Sequence, residues 1–177
     1  CNVELCSLTF RPQIFSKSNI ISTALFGDGA SSYILDSSGI CKVLNSSEYL
    51  WNRTTHFMGW KVEDDGLAVV FDKIIPEFIS NNLPVVLSKY ISKPESGYIL
   101  HAGGMKIIQS YEKILKNHES IKFSKEILAN FGNVSSVSVV LVLKKIIEEK
   151  IKGNFCMLAL GPGFTVAMSE LRIEDHD

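Results

Sequence analysis

Apolar positions along this chain fall into short runs separated by glycine- and proline-marked breaks, and their spacing predicts alternating strands and helices. Residues 2–10 alternate in part, with the β-branched and aromatic content of a strand, and Arg11-Pro12 ends the run. A short helix over 19–26 follows, with Ser16 or Ser18 as its N-cap, and Gly27-Asp28-Gly29-Ala30 breaks it. Strands are predicted over 31–35 and 41–51, joined through Asp36-Ser37-Ser38-Gly39. Residues 52–65 read as polar and irregular apart from Phe57-Met58-Gly59-Trp60. Asp64-Asp65-Gly66 then reads as a hairpin turn into a strand over 67–71.

From Ile75 the period changes. Ile75, Phe78, Ile79, Leu83, Val86, Leu87 and Ile91 recur at helical spacing; Pro76 suits a first turn, and Pro84 predicts a kink or a restart. Tyr98-Ile99-Leu100 and the run from Phe155 to Leu160 are wholly apolar, as strands covered on both faces are. Between them lie predicted helices over 105–115, 124–130 and 135–151, the last capped by Ser135 or Ser136. A final strand over 164–173 follows Gly161-Pro162-Gly163, and residues 174–177 form an acidic tail. No repeat or linker interrupts the order, which predicts one α/β unit with a mixed sheet.

Composition narrows the classes. At 177 residues the chain fits one domain with a sizeable core. It is 46% hydrophobic and only 21% charged, so part of its surface is expected to be covered by something else. A net charge of −1 gives no case for nucleic acid or an anionic membrane as partner. The longest apolar stretch, 135–147, is broken by Lys144 and Lys145 and falls short of a transmembrane span. The four cysteines (Cys1, Cys6, Cys41, Cys156) are dispersed, without Cys-x-x-Cys spacing. Free thiols and a cytoplasmic location are the expectation, which leaves the sequons at Asn45, Asn52 and Asn133 without meaning.

The chemistry centres on residues 97–104. The buried strand there ends in His101, followed by Ala102-Gly103-Gly104, a usual place for working residues in α/β sheets. A second turn, Phe131-Gly132-Asn133-Val134-Ser135-Ser136, offers the carboxamide of Asn133. His101 alone also fits a core histidine bonded to a carbonyl, and Asn133 alone a turn or N-cap residue. As a pair they suit oxyanion stabilisation. Gly27-Asp28-Gly29-Ala30 is too short for a phosphate-binding fingerprint and reads as a turn that lets helix and strand approach. His56, His101, His118 and His176 lack metal-ligand spacing, so no metal is expected, and no Gly-x-Ser-x-Gly elbow supports a hydrolase.

Taken in order, 3–10, 24–30, Met58-Gly59-Trp60 with Asp65-Gly66-Leu67, 101–104, 131–136 and Gly161-Pro162-Gly163-Phe164-Thr165 resemble motifs of type III polyketide synthases, the chalcone and stilbene synthase family. The bacterial alkylpyrone- or phloroglucinol-type branch is the nearer one. The resemblance implies a thiolase-like fold, with 1–177 as the C-terminal half of five αβαβα layers, and a homodimer. It implies an acyltransferase in which a cysteine takes an acyl group from an acyl-CoA and condenses malonyl-CoA-derived units onto it, with no cofactor besides the coenzyme A thioesters.

In that resemblance His101 and Asn133 stabilise the enolate and the thioester oxygen, and the histidine helps hold the cysteine as thiolate. Phe26 matches the gatekeeper between the coenzyme A tunnel and the cavity. Ser22, Met58, Trp60, Val69 and Ser135 match cavity-lining positions, and Pro162 the loop that shapes the cavity. Ala102 and Met105 stand where the family usually has proline. Neither Cys1 nor Cys6 matches the family nucleophile, which lies upstream of this stretch. The chain begins at Cys1 within a strand-like run, so the expectation is a C-terminal half that is inactive alone. β-Ketoacyl-acyl-carrier-protein synthase III has a similar half, and a non-catalytic partner subunit is the reading outside enzymes.

Overall fold

The computed structural model describes residues 1–92, 94–115 and 119–174. Its first elements are β1 (Asn2–Glu4), a 3-10 turn (Cys6–Thr9), α1 (Lys17–Leu25), β2 (Gly29–Ser31), β3 (Cys41–Leu50), β4 (Met58–Glu63) and β5 (Gly66–Phe71). α2 (Ile75–Tyr90), β6 (Gly97–Leu100), α3 (Met105–Ile114), α4 (Ile121–Phe131), α5 (Val137–Glu148), β7 (Gly153–Gly161) and β8 (Thr165–Ile173) follow. His118 and His176 lie outside the described residues.

The frame is a four-stranded sheet of order β3-β8-β7-β6. β6 runs parallel to β7, and the other neighbours are antiparallel, so the sheet is mixed as expected. Period-2 geometry sends the adjacent residues Ile99 and Leu100 of β6 to opposite faces. Leu100 packs with Ile79, Leu83, Ile108 and Tyr111 of α2 and α3. Ile99 packs with Phe123, Ile127, Val142 and Ile146 of α4 and α5. The strand is apolar throughout because neither face meets water.

Tyr111 is fully buried on α3, and among the described residues its hydroxyl has no hydrogen-bond partner. Burial pushes the phenol's pKa up. A buried, unpaired hydroxyl carries a desolvation penalty, so Tyr111→Phe is expected to raise stability by about 1 kcal/mol in urea unfolding. A loss of that size instead would show that the hydroxyl is bonded.

Several local expectations are corrected. Residues 2–10 are not one strand: β1 stops at Glu4, because the Asp28 carboxylate takes both the N–H of Ser7 (2.7 Å) and its hydroxyl (2.6 Å). Thr9 Oγ1 then donates to the Cys6 carbonyl at 2.8 Å, closing a 3-10 turn. The strand expected over 31–35 shortens to Gly29–Ser31. Met58–Glu63 is a strand, held by its register against β5 from Met58↔Phe71 to Glu63↔Gly66. Arg11 Nε donates to Asp65 Oδ2 at 2.9 Å and ties this hairpin's tip to the N-terminal arm.

Pro84 does not restart α2, which is one helix from Ile75 to Tyr90. A mid-helix proline costs about 3 kcal/mol. Full burial of Ile79 and Leu83, with Val86, returns roughly 1.5–3 kcal/mol per side chain and decides the outcome. α4 begins earlier than expected, at Ile121. α1 starts after Ser16, whose hydroxyl accepts from Asn19 N. α5 has no side-chain cap: Ser136 stands at the N-cap position without a capping bond.

Large apolar side chains stand exposed along the first 35 residues, among them Val3, Leu8, Phe15, Ile34 and Leu35, with Ile34 92% exposed. No described helix is long and apolar enough to cross a membrane.

Candidate active site

His101 continues β6 by one rung: its N–H donates to the Leu158 carbonyl of β7 at 3.0 Å. The residue is buried, and its Nδ1 lies 2.8 Å from Ser138 Oγ at the start of α5. Gly103 makes room for the ring, since a Cβ there would sit 2.9 Å from both Nε2 and Cδ2. The ring thus has a serine hydroxyl beside it as well as the Ser135 backbone carbonyl.

Asn133 arrives from the other side. α4 ends at Phe131, and Gly132 turns the chain with φ +73°, a region that favours glycine. Asn133 N then donates to Leu25 O at 2.7 Å, and Gly27 N donates to Asn133 O at 3.1 Å. The Phe26 and Asn133 backbones thus form an isolated parallel bridge. A Cβ on Gly27 would lie 2.4 Å from Phe131 O, so the glycine turn after α1 does permit a close approach, as its sequence predicts. The carboxamide is held at both ends. Nδ2 donates to Gly103 O at 3.2 Å, and Oδ1 accepts from Ser135 N at 2.9 Å. His101 and Asn133 therefore meet on one loop.

They open into one cavity of about 370 Å³, walled also by Phe26, Met58, Trp60, Val69, Ser135 and Pro162. Phe26 packs against Trp60 and Phe71, with ring centroids 6.3 and 5.6 Å away. Ser22 does not reach this space. It lines a second cavity of about 360 Å³, and Phe26 and Cys6 belong to both. Phe26 stands between them.

Two titratable residues of the cavity, Glu4 and Cys6, are not singled out by the sequence. Glu4 presents a carboxylate and accepts from Ser136 N at 3.2 Å; its signal was a lone acid between apolar Val3 and Leu5. Cys6 is buried at the junction of the cavities, and no sequence signal separated it from a strand residue.

Burial pushes the imidazole of His101 down to a pKa of about 4, against smaller opposing effects of the Ser135 carbonyl and Glu4. The ring is neutral at pH 7. Burial, with Glu4 and Asp28 adding, pushes the Cys6 thiol up, so it stays protonated. Among the described residues no group of three or more His, Cys, Asp or Glu is placed to hold a metal ion.

Residues 43–173 match the family described as chalcone and stilbene synthases, C-terminal domain. The chain belongs to that family. Between the two condensing families that its motifs resemble, the match decides for the polyketide synthases. It is 31% identical over 184 residues to a putative chalcone synthase of Bacillus subtilis (strain 168), covering 93% of this chain and 50% of that protein. It is 29% identical to a phloroglucinol synthase of Pseudomonas fluorescens, covering 95% and 52%. The chain spans about half the length of the curated relatives it matches. The crystal structure of 1,3,6,8-tetrahydroxynaphthalene synthase from Streptomyces coelicolor A3(2) superposes with a TM-score of 0.82 at 22% identity, over 98% of this chain and 53% of that one. The type III polyketide synthase domain of Steely1 from Dictyostelium gives 0.81 at 22%, over 98% and 53%. The fold of this family member is thus the thiolase-like α/β fold of those synthases.

Proposed function

We propose that this chain is the C-terminal half of a type III polyketide synthase, an acyltransferase that condenses malonyl-CoA-derived units onto an acyl-CoA starter. The observation that carries the reading is the convergence of His101 and Asn133 on the Gly103 loop, facing a largely apolar cavity. One Nδ2 hydrogen of Asn133 is used by Gly103 O, which leaves the other for a substrate oxygen. Decarboxylation of a malonyl thioester breaks the bond to the carboxylate, releases CO2 and moves the electron pair into an enolate. In this reading His101 and Asn133 stabilise its oxygen. The enolate carbon then attacks an enzyme-bound acyl thioester and expels the thiolate.

In this reading that thiolate comes from a cysteine outside these residues, since neither Cys1 nor Cys6 matches the family nucleophile. The exposed apolar arm around Val3, Leu8, Phe15, Ile34 and Leu35 is the surface an N-terminal half would cover. The chain's free cysteines suit the cytoplasm, and the family resemblance implies a homodimer that uses coenzyme A thioesters and no further cofactor.

The test is co-production with the N-terminal half of the Bacillus subtilis relative, followed by acyl-CoA and labelled malonyl-CoA. Expected are labelled CO2 and polyketide, with His101→Gln and Asn133→Ala each slowing decarboxylation about 10²-fold. Product from the isolated chain would overturn the external nucleophile. A stable complex that releases no CO2 would make the chain a non-catalytic partner, and a demand for malonyl-carrier protein would move it to the carrier-dependent synthases.

A further inference from the structure

The hydroxyl of Ser138 has one proton and three neighbours. The Ser135 carbonyl, 2.7 Å away, can only accept. The Ala102 N–H, 3.3 Å away, can only donate. His101 Nδ1 is the third, at 2.8 Å. The proton therefore goes to Ser135 O, and the oxygen's lone pairs face the Ala102 N–H and the ring. Nδ1 must then carry a hydrogen to bond at all. A neutral imidazole has only one, so Nε2 is left bare on the side that Gly103 keeps open.

We propose that Ser138 is a positioning residue that holds His101 in its Nδ1–H tautomer and presents an unprotonated Nε2 to the cavity. Ser138 is fully buried, so water does not compete for these bonds. Ser135 stands at the centre of the arrangement, at φ +50°. Its N–H sets which end of the Asn133 carboxamide is the oxygen, and its carbonyl, which faces the ring as well as the Ser138 hydroxyl, bears on which ring nitrogen of His101 is protonated. One residue thus orients both members of the pair.

The chemical consequence rests on the function proposed above. In that reaction His101 begins as a proton acceptor: Nε2 takes the proton of an incoming thiol and, as the imidazolium, turns an N–H toward the thioester and enolate oxygens, while the departing coenzyme A thiolate takes its proton from water. With the other tautomer it would start as a donor and leave the thiol protonated.

The assignment is testable without substrate, so its failure is distinguishable from failure of the functional reading. Long-range proton–nitrogen spectra of the chain carrying 15N-histidine, at neutral pH, report the protonation of each ring nitrogen. The wild-type chain is expected to show Nδ1–H at His101, identified by its loss in His101→Gln. Ser138→Ala is expected to shift the tautomer ratio about tenfold toward Nε2–H. Ser138→Thr keeps the hydroxyl and restores the wild-type ratio. Ser138→Cys, close in size and a weak acceptor, shifts it as alanine does and serves if the alanine variant does not fold. An Nε2–H ring in the wild-type chain overturns the proposal. So does an unchanged ratio in the folded alanine or cysteine variant, which would assign the tautomer to the Ser135 carbonyl alone.

Discussion

Alanine in place of Gly132 is expected to destabilise the chain by about 3 kcal/mol or more, through strain and overlap together. Gly132 has φ +73°, and a Cβ there would sit 2.4 Å from the carbonyl oxygen of Leu25. That same carbonyl accepts from Asn133 N at 2.7 Å, so backing away from the methyl group also breaks the bond. Gly27 faces the reciprocal contact, 2.4 Å from Phe131 O, without a positive φ. Gly27→Ala should therefore cost less than Gly132→Ala but well above a surface change. At Gly39 a Cβ would meet nothing within 4 Å, so Gly39→Ala serves as the control, expected within about 0.5 kcal/mol of wild type. Urea unfolding midpoints of the three variants give the ranking. If Gly132→Ala unfolds where Gly39→Ala does, the 25–27 and 131–133 segments do not cross as described. The crossing matters beyond stability, because it sets Phe26 beside Asn133.

The second large effect is on acid sensitivity. His101 titrates near 4 in the folded chain and at its ordinary 6.5 when unfolded. Above pH 6.5 both states hold the neutral ring, and the difference contributes nothing. As pH falls from 6.5 toward 4 the unfolded chain gains a proton that the folded chain does not. Stability drops through that window and levels off below it, at a total of about 3 kcal/mol. His101→Gln removes this contribution while the carboxylates titrate alike in both proteins. The stability gap between wild type and variant should therefore move by about 3 kcal/mol between pH 7 and pH 4, in the variant's favour at low pH. Parallel pH profiles from denaturant unfolding would show that the ring is not desolvated.

Much of the scaffold was legible. β6 and β7 were visible because both their faces are buried, which makes the whole run apolar. α2 was visible because its buried side chains repeat at helical spacing, and Pro84 only obscured its continuity. The N-terminal strand was overread because the carboxylate that folds it back, Asp28, lies 21 residues from Ser7. β4 was missed because a hairpin held by strand pairing, with one face wet, needs no apolar run.

By itself the sequence determined that His101 ends a buried strand and that Asn133 sits in a glycine turn, since each is written in its immediate neighbours. It also carried the ordered motifs that assign the family. Only the tertiary structure decided that the two side chains share the Gly103 loop, that Ser22 lies across Phe26 from them, and that Glu4 and Cys6 join the cavity. It alone decided the partner of His101. A serine near the start of a helix reads as a cap from sequence, and packing α5 against β6 is what sets the Ser138 hydroxyl 2.8 Å from a ring 37 residues earlier. Local propensity is encoded locally, whereas a hydrogen bond between distant segments exists only once the core has brought them together.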